Sequence, residues 1–224
     1  MDAARVDVSE VATPEAGSAD VAPDVAVSES GADVTIDVAD ASTVIFHDDF
    51  NGASLSRWTQ ASGSWSLSAG EARVPSGSFE MFATGFEAQT NYRVSTQMRI
   101  AGAGVPGGAL EIAFRIESTS LDEWHCNWEP VPQANLVYLK LQQFGQWPVI
   151  VTAVDVTTLT NYSALSKFTM DVVVVGGSAD CSIREIPAAR AALTGGILRA
   201  NGTFGLRTFN LPAAFDEFTV TSAP

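Results

Sequence analysis

Apolar and polar residues alternate with a period of two along most of the chain beyond residue 43. The stretch from Tyr92 to Ile100 shows this most clearly, because Tyr92, Val94 and Met98 share one face of an extended chain and polar residues occupy the other. This pattern is typical of a half-buried β-strand. The other predicted strands are residues 109–117, 122–129, 135–143, 147–155, 167–175, 180–186, 203–208 and 214–221.

Helical patterns are almost absent from the same region. Only the segment from Pro187 to Leu193 favours a helix, since alanine and leucine are good helix formers and proline is tolerated in a first turn. Clusters of Gly, Pro, Ser and Asn separate the predicted strands. So many strands without crossover helices predict antiparallel sheets packed face to face. The predicted fold class is therefore all-β, an antiparallel β-sandwich of the jelly-roll type.

The first 43 residues differ from the rest in composition. They hold ten of the 26 acidic residues, one of the 12 basic residues and no aromatic residue. A segment of this kind buries too little apolar area to offset its chain entropy. We therefore predict a disordered acidic arm over residues 1–43, rich in Ala, Val, Asp and Ser, followed by one globular domain over residues 44–224.

Charge and motifs argue against several classes of protein. The net charge of −14 lacks the basic surface that nucleic acid requires. No apolar run approaches the roughly 20 residues of a transmembrane segment. The only histidines, His47 and His125, leave few members for a catalytic triad or a zinc site. The glycine-rich stretch Gly102 to Gly107 precedes a strand pattern, so it predicts a hairpin loop rather than a phosphate-binding turn.

Both cysteines, Cys126 and Cys181, lie in predicted strands. An oxidised pair would form a disulfide and stabilise the fold by closing a long loop, as is common in exported proteins. Two buried free thiols that pack as small apolar groups are the alternative. The residues alone leave both alternatives open.

Three neighbouring strand patterns place polar side chains on one face, opposite apolar residues such as Leu110, Trp124 and Leu139. A polar face with an aromatic ring suits hydroxyl-rich ligands. A polar face exposed to solvent is, however, common in antiparallel sheets and need not bind a ligand. If the second strand were inverted, Trp124 and Trp128 would be exposed instead. The predicted ligand-binding residues are Glu111, Arg115, His125, Asn127, Glu129, Tyr138, Lys140 and Gln142.

Both ends of the domain resemble a known family. The opening stretch from Ile45 to Phe50 and the sequence Gly63-Ser64-Trp65-Ser66 look like the start of concanavalin A-like (laminin-G-like) jelly-roll domains. The stretches 202–208 and 214–220 are similar to the closing strands of these domains, in which the last strand returns beside the first. The superfamily contains lectins, laminarinase-type glycoside hydrolases and adhesion modules, so the fold alone implies no single function.

The resemblance also raises the question of catalysis. Laminarinase-type hydrolases carry alternating carboxylates on one strand, in a Glu-x-Asp pattern followed by a second Glu. In the nearest stretch here, Glu111 is followed by Ala113 and Arg115 in place of the other two carboxylates. We therefore predict no catalytic residues, and a glycoside hydrolase with another acid pair is the least favoured alternative.

A structural calcium ion is a further implication of the resemblance, since related jelly rolls often join their first and last strands through one. The resemblance predicts Asp49 and Asp216 as ligands, because calcium prefers such hard oxygen donors. The alternative is that Asp48, Asp49 and Asn51 only cap a turn.

The acidic arm resembles the tethers that follow the lipid-anchored cysteine of bacterial surface lipoproteins; a solvated tail of a cytosolic protein is the alternative. Together these observations predict a non-catalytic, lectin-like carbohydrate-binding module outside the cytoplasm, at a bacterial cell surface or secreted. Its expected partner is a polysaccharide or other glycan. A protein-interaction or adhesion module of the same fold is the second interpretation.

Overall fold

The computed structural model describes residues 42–102, 107–117, 123–131, 136–144, 149–156, 167–195 and 200–223, so nearly all of the predicted arm lies outside it. Within these ranges the chain forms fifteen strands and no helix. The strands are β1 (Val44–Asp48), β2 (Trp58–Ser62), β3 (Ser66–Ser68), β4 (Glu71–Val74), β5 (Ser78–Ala83), β6 (Tyr92–Ile100), β7 (Ala109–Ile116), β8 (Glu123–Val131), β9 (Leu136–Phe144), β10 (Val149–Asp155), β11 (Phe168–Val175), β12 (Ser178–Ile183), β13 (Ile186–Leu193), β14 (Thr203–Phe209) and β15 (Ala213–Ser222).

The strands form two antiparallel sheets. Sheet A has the order β13-β12-β11-β6-β15-β4-β3, and β1 also pairs with β15. Sheet B has the order β10-β9-β8-β7-β14-β5-β2. The predicted all-β sandwich is confirmed, including the return of the last strand beside the first, where His47 lies opposite Thr219.

The two ends of the domain meet at this strand pair. The backbone N–H of Ser222 donates to the carbonyl oxygen of Thr43 at 2.8 Å, and the Thr43 N–H donates to the Ser222 hydroxyl oxygen at 2.9 Å. The pairing continues from Val44, opposite Thr221, to Asp48, opposite Phe218. Residues 43 and 222 are therefore neighbours at the same end of the β1–β15 pair.

Aromatic side chains fill much of the space between the sheets. Phe46 of β1 contacts Trp58 and Phe218 edge to face, with ring centroids 5.2 and 5.9 Å away. Trp124 and Trp128 of β8 are also buried in this core. The alternative register, in which β8 would expose its two indoles, is therefore wrong.

The predicted helix at residues 187–193 is also wrong, because this segment forms strand β13. It pairs with β12, where Ala191 lies opposite Cys181. Ile186, Ala189 and Ala191 are buried, whereas Arg190 is exposed. The pairing with β12 and the burial of these side chains outweigh the intrinsic helix preference of alanine.

A disulfide bond joins the two sheets. It links Cys126 of β8 in sheet B to Cys181 of β12 in sheet A, with 5.8 Å between the Cα atoms. Both residues are fully buried. The bond therefore crosses the core and closes a loop whose ends are 55 residues apart.

Candidate functional site

The outer face of sheet B brings most of the predicted binding residues together. Glu111 of β7 lies opposite Asn127 of β8, which in turn lies opposite Lys140 of β9. Residues that are directly opposite share one face of a sheet. By the same register His125 shares this face with Gln142, and Glu129 shares it with Tyr138. Period-two alternation therefore predicted the correct face for every one of these residues except Arg115.

The prediction that this whole face is exposed is wrong at three positions. Glu111, His125 and Asn127 are only 2%, 0% and 2% exposed. Glu111 and His125 converge with Glu80 on β5 and Arg207 on β14, whereas Asn127 contacts Gln142 of β9. Alternation tells which face a residue occupies, but it does not tell whether neighbouring strands cover that face.

Arg115 is the one predicted binding residue that leaves the face. It lies at a register shift between β7 and β14 and has a positive φ of 56°, a conformation typical of a bulge that redirects a side chain. Its guanidinium group lies 5.4 Å from the Tyr92 ring, and its backbone N–H donates to the Tyr92 hydroxyl. Arg115 is thus fully buried and unavailable to a ligand.

The buried Arg115 guanidinium connects three backbone segments through four carbonyl oxygens. Nη1 donates to the carbonyl oxygens of Gln89 and Ala200 at 2.8 and 2.9 Å. Nη2 donates to the carbonyl oxygens of Thr90 and Gly176. Arg115 therefore holds together the loops before β6, after β11 and before β14.

A buried ionic cluster lies on the outer face of sheet B. His125 Nδ1 is 2.6 Å from a Glu111 carboxylate oxygen, and Nε2 is 2.8 Å from one of Glu123. Burial alone lowers the pKa of His125, but the two carboxylates outweigh it, so the pKa is raised above its ordinary value. Arg207 Nη1 lies 3.5 Å from Glu111 and 3.9 Å from Glu123. The His125 ring and the Arg207 guanidinium thus both face the carboxylates of Glu111 and Glu123.

Glu80 adds a neutral acid to this cluster. Burial, together with repulsion from Glu123, raises the pKa of Glu80 to about 8. Its carboxyl group is therefore protonated at neutral pH and donates a hydrogen bond to Glu123. Burial raises the pKa of Glu123 as well, but contacts with His125 and Glu80 lower it overall. Sequence reasoning missed Glu80, Glu123 and Arg207; for Glu123 the signal was its position two residues before His125 on one strand.

Titration of Glu80 should make the fold less stable in alkaline solution. Its pKa in the folded chain lies above the ordinary 4.5, so its contribution is complete below that value and is lost as the pH rises through about 8. We expect the urea midpoint of the wild type to fall across this range, and that of Glu80→Gln to fall less steeply. Glu87→Gln, which alters an exposed carboxylate, should keep the wild-type slope. Equal slopes for Glu80→Gln and wild type would contradict this assignment.

A cleft of about 300 Å³ opens beside the cluster on the same face. Its lining residues are Gly107, Ala109, Glu111, Asn127, Glu129, Gln142, Arg207 and Phe209. Phe209, at the end of β14, is 41% exposed and supplies an aromatic surface that sequence reasoning did not find. Lys140 forms an ion pair with Glu129 at 2.6 Å and lies 5.3 Å from the Tyr138 ring.

Asn127 is a buried polar residue that lines this cleft. Its Nδ2 donates to Gln142 Oε1 at 2.8 Å. Its other polar atom, Oδ1, accepts no hydrogen bond from any part of the chain that the structure describes. An unsatisfied buried acceptor is costly, so a ligand that donates a hydrogen bond would be favoured here.

The two residues predicted to bind calcium have partners within the chain. Asp49 accepts the backbone N–H of Asn51 at 3.1 Å, and Asp216 forms an ion pair with Lys167 at 2.8 Å. The side-chain hydrogen bond with Asn51 is the main cause of the lowered pKa of Asp49. Across the described ranges between residues 42 and 223, no three His, Cys, Asp or Glu side chains are grouped to hold a metal ion. Calcium binding by Asp49 and Asp216 stays a prediction.

Comparisons with known proteins bear on the fold. No protein-family model matches the sequence, and no curated protein matches it. Among 227 matching chains of solved structures is the carbohydrate-binding module CBM66 from Bacillus subtilis, with a TM-score of 0.60, 15% identity and coverage of 74% of this chain and 96% of the module. In the described part of the chain, no helix has the length and apolar character that a membrane crossing requires.

Two further matches belong to the same architecture. Bacillus licheniformis beta-glucanase has a TM-score of 0.55 and 12% identity, with 82% of this chain and 100% of the glucanase covered. The exoplasmic/lumenal domain of VIP36, in its Ca²⁺/Man3GlcNAc-bound form, has a TM-score of 0.54 and 10% identity, with 75% of this chain and 84% of that domain covered. The fold is thus a concanavalin A-like jelly-roll sandwich, as the resemblance implied.

Proposed function

We propose that this chain is a carbohydrate-binding module and that its site is the cleft on the outer face of sheet B. One observation carries this proposal: the same cleft is lined by Asn127, whose Oδ1 has no hydrogen-bond partner among the described residues, and by the exposed ring of Phe209. A sugar offers both complements, a hydroxyl donor and an apolar C–H face that packs on an aromatic ring. The fold that the chain shares with a carbohydrate-binding module and with a sugar-bound domain supports the proposal.

A glycoside hydrolase is the second candidate, because Glu80 and Glu123 are an acid and a base on one face. Their carboxyl groups are hydrogen-bonded to each other, however, and Glu123 is buried. Hydrolysis needs two carboxyl groups about 5 Å or more apart, with the sugar between them. This arrangement supports binding without cleavage, while the similarity to a beta-glucanase makes cleavage worth measuring.

We also propose that the module works outside the cytoplasm, at a bacterial surface or after secretion. The disulfide between the two sheets supports this location, since such bonds persist in oxidising compartments. The acidic residues 1–43 would be the tether, and calcium at Asp49 and Asp216 would join the first and last strands. A protein partner for the same face is the alternative to a glycan.

Phe209→Ala is expected to weaken glycan binding about tenfold, because the ring contributes roughly 1–1.5 kcal/mol of stacking and apolar contact. The measurement is the affinity of the full chain for each member of a polysaccharide panel, in the presence of calcium and in the presence of a chelator. The release of reducing ends is measured in the same samples. The matched control is Gln97→Ala, since Gln97 lines a different cleft on the outer face of sheet A.

Each outcome of the panel has a definite meaning. Saturable binding that Phe209→Ala weakens and Gln97→Ala leaves unchanged supports the proposed site. Binding lost only in Gln97→Ala would move the site to sheet A. Release of reducing ends would favour the hydrolase, and no binding by any glycan would favour the protein-interaction module.

A further inference from the structure

Charged groups around the cleft on sheet B have counter-charges within the protein. Glu111 contacts His125 at 2.6 Å, and Glu129 contacts Lys140 at 2.6 Å. Arg207 lies between Glu111 and Glu123. Each charged residue that lines the cleft, Glu111, Glu129 and Arg207, therefore has a partner of opposite charge within the protein.

These ion pairs are poorly exposed to water. The Arg207 and Lys140 side chains are each only 13% exposed, and the carboxylate of Glu111 is buried. A ligand carboxylate or sulfate would need Arg207 or Lys140 as its partner and would leave a glutamate unpaired. A cationic amino sugar would form an ion pair with a glutamate and would leave the basic partner of that glutamate unpaired. Removing one partner of a buried pair strongly destabilises the arrangement, so both classes of charged ligand are disfavoured.

Neutral contacts, in contrast, remain open to a ligand. Asn127 Oδ1 has no hydrogen-bond donor among the described residues, and the contact of Asn127 with Gln142 uses the Asn127 Nδ2 group, which donates to Gln142 Oε1. Phe209 offers an uncharged aromatic surface. An uncharged hydroxyl and a C–H face satisfy both groups without disturbing an ion pair.

We propose that the cleft selects uncharged glycans over uronate-containing, sulfated or amino-sugar glycans, and that Asn127 Oδ1 accepts a hydrogen bond from a sugar hydroxyl. This inference rests on the proposed function and specifies the substrate class of the same site. It assigns Asn127 as the polar anchor of the ligand and Phe209 as its apolar platform.

The test compares neutral and charged oligosaccharides of equal length on the full wild-type chain. Neutral members are oligomers of glucose, mannose, xylose and fructose; charged members are oligogalacturonate, oligoalginate, a sulfated galactan and chitosan fragments. We expect at least one neutral oligomer to bind, with less than about a twofold change in Kd when NaCl is raised tenfold, since only charged ligands are screened. The charged series should bind at least about tenfold more weakly.

Asn127→Ala is the variant that tests the anchor. It should weaken binding of the neutral ligand about tenfold, the loss expected for one hydrogen bond to a buried acceptor, and Gln97→Ala should leave it unchanged. Near-ultraviolet circular dichroism shows whether the variant keeps the packed core. If it does not fold, the comparison of ligand classes on the wild type still decides the proposal.

The outcomes separate this inference from the proposed function. Preferential binding of a charged glycan, or affinity that falls steeply with salt, would overturn the selection of uncharged ligands and leave a carbohydrate-binding module. Neutral binding that is unaffected by a folded Asn127→Ala would overturn the assignment of the anchor. No binding of any oligosaccharide would overturn the proposed function itself.

Discussion

Arg115→Ala is expected to lower the free energy of unfolding by about 3–5 kcal/mol, because it removes several hydrogen bonds to a charged group and leaves a cavity. The side chain donates to four backbone carbonyls, in the loops that hold Gln89, Thr90, Gly176 and Ala200. Without it these four carbonyl oxygens lose their partner, and the space beside the Tyr92 ring becomes a cavity. Urea denaturation followed by tryptophan fluorescence measures the change.

Two further variants sharpen this test of Arg115. Arg115→Lys keeps the charge but cannot reproduce a planar group that donates in several directions, so it should recover only part of the loss. Arg93→Ala removes an exposed arginine of β6 and should change the free energy of unfolding by less than about 0.5 kcal/mol. A wild-type urea midpoint for Arg115→Ala would show that the four carbonyls do not depend on this side chain.

Replacing both cysteines by alanine is expected to cost about 4 kcal/mol of stability, because the unfolded chain is released from a loop of 55 residues. The bond joins β8 to β12 across the core, so its loss also removes a covalent link between the two sheets. Reduction of the wild type with dithiothreitol in urea should lower its midpoint toward that of the double variant. A double variant within about 1 kcal/mol of the wild type would mean that packing alone holds the sheets together.

Long strands with one buried face were predictable from the chain alone. The period-two pattern predicted residues 92–100, and β6 has those bounds because its alternate residues lie in the core. The short strands β2 to β5 were not predicted, since three to six residues carry too little periodicity. The β13 segment was predicted as a helix because local preference does not reveal pairing with β12.

The candidate site was only partly predictable, for a related reason. Alternation placed His125 and Asn127 on the correct face, but the burial of His125 depends on side chains from β5 and β14, which are distant in sequence. Glu80 and Phe209 join the site only through the order of strands in sheet B. Arg115 left the predicted face because a single bulge reversed its direction, and no residue pattern marks that bulge.

The adjacency of residues 43 and 222 has a mechanical consequence. A force that pulls these two points apart acts at one end of the antiparallel β1–β15 pair, so its hydrogen bonds would break one after another from Val44 toward Asp48. Strands loaded in this way peel apart at lower force than strands sheared along their length. The first and last strands would therefore yield before the disulfide-linked β8 and β12, which lie outside the loaded pair.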